Sequence, residues 1–193
     1  MPDLGLTLIV VLVILAALII APRYLGFMAQ RPADYAGTTP AVDIRQHLSG
    51  PLLCEGVIYG PLGRVTSRFV ARMDGRWEGN RGILDEHFKY SGGNTQDRQW
   101  RLTLGNDGTI RAEADDLKTP GTGTQDGCSV QLRYTIIMPE SAGGWTLDVT
   151  DWMYLTENGT IINRSQFRKF GIKVAELVAT MRPANDAERM AAQ

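Results

Sequence analysis

The sequence predicts a mainly β domain, an antiparallel up-and-down barrel of about nine strands, preceded by one apolar helix. Three observations predict it. Apolar side chains recur at every second position from Leu52 to Met181. Short turns rich in Gly, Asn and Asp separate these runs, and no helical period intervenes. Many short strands with short connections close into a barrel because closure removes both sheet edges. A two-sheet sandwich is the other architecture the pattern allows.

The amino-terminal run comes first. Residues 4–21 are apolar but for Gly5 and Thr7. At ~1.5 Å per residue they span about 27 Å, close to the hydrocarbon core of a bilayer. A cleaved signal peptide fits less well: no Lys or Arg precedes the run, it is long for a signal core, and neither an A-x-A site nor a lipobox cysteine follows. The expectation is one uncleaved transmembrane helix in 1–22, with the bilayer as its partner through residues 4–21. Arg23, Arg31 and Arg45 follow the run, and only Asp3 and the terminal amine precede it, which favours a cytoplasmic domain. Residues 23–51 read as a juxtamembrane linker and a short helix. Tyr24 and Phe27 suit the membrane interface. Thr39 reads as the cap of a helix that starts at Pro40 and runs to about Ser49. His47 reads as a surface or plug-helix residue.

The barrel is expected at 52–181. Leu52 to Tyr59 alternates, and Gly60 to Gly63 turns the chain. Val65, Ser67, Phe69, Ala71 and Met73 form the next inward row, with Asp74-Gly75 and Glu78-Gly79-Asn80 punctuating the link around Trp77. Leu84, Glu86, Phe88 and Tyr90 then face Arg98, Trp100, Leu102 and Leu104. A three-residue loop, Gly92-Gly93-Asn94, keeps both rows on one side, with Glu86 opposite Trp100 and diagonal to Arg98. His87 points outward. Ile110, Ala112, Ala114 and Asp116 make a small inner row that leaves room for bulky neighbours or a cavity. Residues 119–127 read as the longest loop, without the spacing of a phosphate cradle. Val130 to Met138 is a strand, Ile172 to Met181 is the last, and 182–193 reads as a frayed tail.

The stretch from Trp145 to Phe170 is the centre of the pattern. Asn158-Gly159 between β-rich runs predicts a two-residue hairpin turn. That register places Leu155 opposite Ile162, Met153 opposite Arg164 and Asp151 opposite Gln166. Asp151, Arg164 and Arg168 then lie inside among Leu147, Val149 and Met153, where charges must pair with one another. Trp152, Tyr154, Asn163 and Phe167 form an outer face.

At these residues the chain resembles the bacterial domain of unknown function family 3833. The resemblance rests on Thr150 to Leu155, Ile162-Asn163-Arg164 and Lys169-Phe170-Gly171. Upstream it is carried by Asp34-Tyr35, Gly56, Gly63-Arg64, Arg68-Phe69, Trp77-Glu78-Gly79, Leu84-Asp85-Glu86, Arg98, Trp100 and Ala114-Asp115-Asp116. It implies a barrel of lipocalin-like build and a periplasmic location, since many relatives look like secreted lipoproteins. The chain departs in lacking a lipobox cysteine, in Thr150 where an Asp is frequent, and in Cys128 where an Asn is common. Placed with its helix, the protein is expected at the inner (cytoplasmic) membrane as a single-pass protein.

Composition narrows the function. With 20 basic and 21 acidic residues there is no excess to suggest nucleic acid. Two cysteines, Cys54 and Cys128, read as free core thiols, or as one bridge in an oxidising compartment. Two histidines on separate elements, no G-x-S-x-G and no ligand cluster give no catalytic set, metal or cofactor. The adjacent Asp115 and Asp116 point to opposite faces of a strand and do not chelate one ion. The leading expectation is a membrane-anchored barrel that binds a small apolar or lipid-like ligand through Glu86, Arg98, Trp100, Asp116, Asp151 and Arg164. The alternative is an accessory or assembly subunit of a membrane protein complex, docking through the outer aromatic face.

Overall fold

Period-two patterning continues from Gly50 to Pro183 in the computed structural model, which describes residues 4–185, without the side chains at positions 18, 19, 22, 23 and 141. Ten strands follow one another: β1 Gly50–Tyr59, β2 Val65–Glu78, β3 Arg81–Tyr90, β4 Thr95–Leu104, β5 Thr109–Glu113, β6 Gly121–Asp126, β7 Ser129–Ile137, β8 Thr146–Leu155, β9 Ile161–Lys169 and β10 Ile172–Pro183. Each pairs antiparallel with the next, and β10 pairs with β1 to close the barrel.

The tenth strand is β6, in the segment expected to be a loop. Its sequence, Gly-Thr-Gly-Thr-Gln-Asp, has no apolar alternation. The reason is space. A Cβ at Gly123 would lie 2.4 Å from Leu132 Cδ2, and one at Gly121 2.9 Å from Tyr134 Cβ. Large side chains on β7 fill the room that inward side chains on β6 would need. β2 also runs past Asp74-Gly75, where a link was expected, and β10 continues to Pro183, paired with Leu52. From residue 186 the expected tail lies outside the described residues.

The segment before the barrel packs against it. Its helix is one turn, α2 (Ile44–His47), capped by Asp43 rather than Thr39: the Arg45 amide donates to Asp43 Oδ1 at 2.9 Å. Val42, Ile44 and Leu48 join the barrel's apolar cluster and plug one end. Burying a side chain such as Ile44 contributes about 1.5–3 kcal/mol. The Trp77 indole donates to the Leu48 carbonyl at 3.0 Å, and the Val42 amide to Gly127 O at 2.8 Å. His47 belongs to this plug and is half-buried.

Upstream, 3-10 turns at Phe27–Ala29 and Pro32–Tyr35 strap the outside of β7–β9. Tyr35 lies edge-on to Tyr154 and 5.5 Å from Trp152, so Trp152 points outward yet is fully buried. Phe27 lies 4.9 Å from the Arg164 guanidinium carbon. The strap passes so close to Gly127 that a Cβ there would sit 1.9 Å from Tyr35 O.

The apolar run forms a single helix, α1 (Leu4–Leu25), which Pro22 does not end. Among the described residues no helix is long and apolar enough to cross a membrane, so the expected span is not found.

Candidate functional site

Loop parity decides which side chains of β8 and β9 meet inside. The β8–β9 turn has three residues, Glu157-Asn158-Gly159, with Thr156 N–H donating to Thr160 O at 2.9 Å and Gly159 at φ 80. A third loop residue shifts the register by one, and one step turns a strand over. Leu155 therefore faces Ile161, Met153 faces Asn163 and Asp151 faces Ser165. Ile161, Asn163, Ser165 and Phe167 point inward. Arg164 and Arg168, expected inside, are on the outer wall. There Arg164 pairs with Glu176 at 2.5 Å and Lys173 with the same carboxylate at 2.7 Å. Burial works against the Glu176 charge, but these two cations hold its carboxyl below the ordinary range.

The β3–β4 loop has the expected length but sits one residue earlier, at Ser91-Gly92-Gly93. Two positions of slip leave both rows inside and bring Glu86 directly opposite Arg98, with Leu84 opposite Trp100. Arg98 nevertheless turns to Asp116, just beyond β5, with Nε 3.0 Å from Oδ2. Its guanidinium lies 4.0 Å from the centroid of the Trp100 ring, which meets Tyr134 edge-on.

These side chains surround one cavity of about 120 Å³. Leu48 of the plug closes it at one end, and Phe69, Phe88 and Phe167 line it toward the other. Its polar wall is Glu86, Arg98, Tyr134, Asp151, Asn163 and Ser165, and Cys54 adds a thiol. Of the expected site residues, Glu86, Arg98, Trp100 and Asp151 come together here, Asp116 anchors Arg98 from behind, and Arg164 lies elsewhere. Tyr134, Asn163, Ser165 and Cys54 were missed. Tyr134 stood in a legible inward row and was findable; Asn163 and Ser165 depended on the turn. A wide solvent-open groove of about 910 Å³ also crosses the outside of β1–β4, past Leu53, Arg72, Asp85, His87 and Asp97.

The two inner carboxyls differ. Asp151 accepts from Ser165 Oγ at 2.7 Å and from the Asn163 amide. Burial still raises its pKa above the ordinary range, with these donors working the other way. Glu86 is buried, and its Oε2 has no hydrogen-bond partner. Burial pushes its carboxyl up to about 7, with Arg98 pulling down and Asp151 and Asp116 pushing up. Among the described residues three other buried polar atoms lack partners, on Gln131, Trp152 and Arg168, and none of these residues lines the cavity. Both thiols are free, and burial pushes Cys54 up to about 12, which disfavours its thiolate. Among the described residues no group of His, Cys, Asp and Glu is arranged to hold a metal.

The family model described as protein of unknown function (DUF3833) matches residues 23–183. A comparison with curated proteins finds no match. Among solved structures, the chain is similar to the S-type phycobiliprotein lyase CPES from Guillardia theta. That match has a TM-score of 0.54 at 6% identity, over 74% of this chain and 92% of that one. It is similar to Rv2717c from M. tuberculosis with a TM-score of 0.54 at 14% identity, over 77% and 99% of the two chains. At these identities the likeness is one of fold.

Proposed function

Since the chain belongs to the DUF3833 family of proteins of unknown function, we propose a function from the cavity's own chemistry: the barrel binds a compact, mainly apolar molecule carrying one hydrogen-bond-donating group. The observation that carries this reading is the unpartnered Glu86 Oε2 in the cavity wall. A buried acceptor without a donor costs about 1–3 kcal/mol, and a ligand N–H at that point recovers it. Size limits the ligand. A cavity of about 150 Å³ accepts benzene, so this one takes a molecule of about one ring rather than an acyl chain. The barrel fold is shared with a phycobiliprotein lyase, at 6% identity a likeness of fold alone.

The test is a series of benzylamine and aniline analogues against toluene-like isosteres, read by thermal shift and native mass spectrometry on the full chain. Donor-bearing rings are expected to raise the melting temperature, and Glu86→Met to reverse the preference toward the hydrocarbons. If amine and hydrocarbon bind alike, or neither binds, the proposal fails. Circular dichroism checks that the variant is folded.

We also propose that α1 anchors the barrel in the inner membrane, with the barrel on the periplasmic side. Its 22 residues span about 33 Å at ~1.5 Å each, and its described apolar side chains are exposed all round the helix. Resistance to alkaline extraction tests the anchor, and activity of a carboxyl-terminal alkaline phosphatase fusion tests the side. The subunit reading loses its support. The outer aromatics Trp152 and Tyr154 are covered by the chain's own strap, and Phe167 points inward.

A further inference from the structure

Exposed apolar side chains at the barrel ends are unevenly distributed. Connections at the plugged end, residues 79–80, 105–108, 127–128 and 156–160, carry no large apolar side chain. At the other end three neighbouring connections do. Leu62 tops β1–β2 at 93% exposed, Trp145 precedes β8 at 54%, and Phe170 tops β9–β10 at 90%, followed by Ile172 at 70%. In the strand order β7-β8-β9-β10-β1-β2 these connections are consecutive. The two remaining connections at that end carry Ser91-Gly92-Gly93-Asn94 and the half-buried Leu117.

Phe170 adds an independent observation. It sits at φ 52, the sole described non-glycine residue at positive φ, in a two-residue turn with Gly171. Asn or Gly is the usual residue there, and a bulky side chain costs about 1 kcal/mol or more. At 90% exposed it recovers nothing by packing within the barrel. Cations accompany the patch. Lys169 Nζ lies 3.1 Å from the centroid of the Trp145 ring and 5.6 Å from that of Phe170, and Arg64 is exposed beside Leu62. Glu140 is the one acid on the three connections. The strap also begins on this wall, with Phe27 against Arg164 of β9 and Met28 in a cleft with Thr135 of β7 and Asp148 of β8. The chain that carries α1 therefore meets the barrel on the side that bears Trp145 and Phe170.

We infer that this rim of Leu62, Trp145, Phe170 and Ile172, with Lys169 and Arg64, docks on a phospholipid bilayer surface. The aromatic and aliphatic tips would enter the headgroup–acyl boundary while the two cations meet lipid phosphates. Trp beside Lys is the usual composition at that depth. The inference rests in part on the proposed anchoring by α1, which would hold the rim next to the lipid.

The experiment uses the full chain in vesicles of phosphatidylethanolamine and phosphatidylglycerol in equal parts, with acyl chains brominated close to the headgroup. Flotation reads the anchor, and tryptophan quenching reads the rim. Expected are a floating protein, a quenched component that disappears in Trp145→Phe, and loss of that component in Leu62→Asp/Phe170→Asp, which still floats. Both aspartates replace exposed side chains, and near-ultraviolet circular dichroism confirms that the variant is folded. A floating protein whose Trp145 is not quenched overturns the rim and leaves the anchor standing. If the chain does not float, the anchor fails, and Trp145 quenching on mixing alone decides the rim. Unquenched Trp145 that becomes protected as protein concentration rises assigns the rim to a second copy of the chain and overturns the lipid assignment.

Discussion

The β3–β4 and β8–β9 hairpins each place a carboxyl at the same cavity, and they treat it differently. On β8–β9, Asp151 is held by Ser165 and Asn163 of the partner strand, and the hairpin's outer face is sealed by Tyr35 and Phe27. On β3–β4, Glu86 faces Arg98, but Arg98 pairs with Asp116 and one Glu86 oxygen is left over. That hairpin's outer face is solvated, with Asp85 and Gln99 among its polar groups and Arg76 of β2 beside them. One hairpin satisfies its cavity-facing carboxyl and packs on both sides, its unpartnered Trp152 Nε1 and Arg168 Nε lying away from the cavity. The other keeps an unsatisfied acceptor at the cavity. On the proposed function, the first hairpin is a structural wall and the second the wall that meets the ligand.

The contrast breaks first, and most strongly, at Trp152. Trp152→Ala removes a fully buried ring between barrel and strap and should cost about 3–5 kcal/mol in denaturant unfolding. Trp152→Phe keeps most of the packing and removes an indole N–H that has no partner, so its cost should be far smaller. Equal losses in the two variants would show that the strap is not packed there.

Next is Arg98→Ala, which leaves Asp116 without its cation and strips the Trp100 face. Breaking a largely buried pair should cost about 3 kcal/mol. A neutral result would place Arg98 in solvent and dissolve the polar wall.

A third test uses pH and sharpens the difference at Glu86. Below about 7 the folded protein keeps a proton there that an unfolded chain releases near its ordinary value of 4.5. Stability from this group is therefore fully present below 4.5 and is lost as pH rises through about 7. The loss is on the order of 3 kcal/mol. Buried Asp151, also raised, slopes the same way. Unfolding midpoints at several pH values should show Glu86→Gln flattening the slope and gaining stability over wild type at pH 8. A slope unchanged by the substitution would mean Glu86 is solvated.

The smallest effect is expected at Arg164, now on the outer wall. Arg164→Ala should change stability by less than about 1 kcal/mol, because its side chain is 46% exposed. A loss of several kcal/mol would restore it to the interior and undo the observed register.

What was legible in the sequence follows from local chemistry. Alternation from Leu52 to Met181, with glycine-bearing turns, is enough for an antiparallel barrel, because pleat and turn geometry act over a few residues. The same alternation put Glu86, Arg98, Trp100 and Asp151 inside before any contact was known. It missed β6, whose glycines make room for Leu132 and Tyr134 across the sheet, and that vacancy has no signature of its own. It put Arg164 inside because Asn158-Gly159 reads as a two-residue turn, and the third residue, Glu157, turns the whole strand over.

By itself, then, the sequence determined the fold class, the apolar helix, the inward rows of β2, β3, β4, β5, β7 and β8, and Glu86, Arg98 and Asp151 among the cavity's polar residues, because each depends on spacing along one strand. Tertiary structure alone decided the tenth strand, the β8–β9 register, the burial of Trp152 beneath its own strap, and the choice of Asp116 over Glu86 by Arg98. Each of these is a competition between groups far apart in the chain, settled by which surfaces barrel closure brings together.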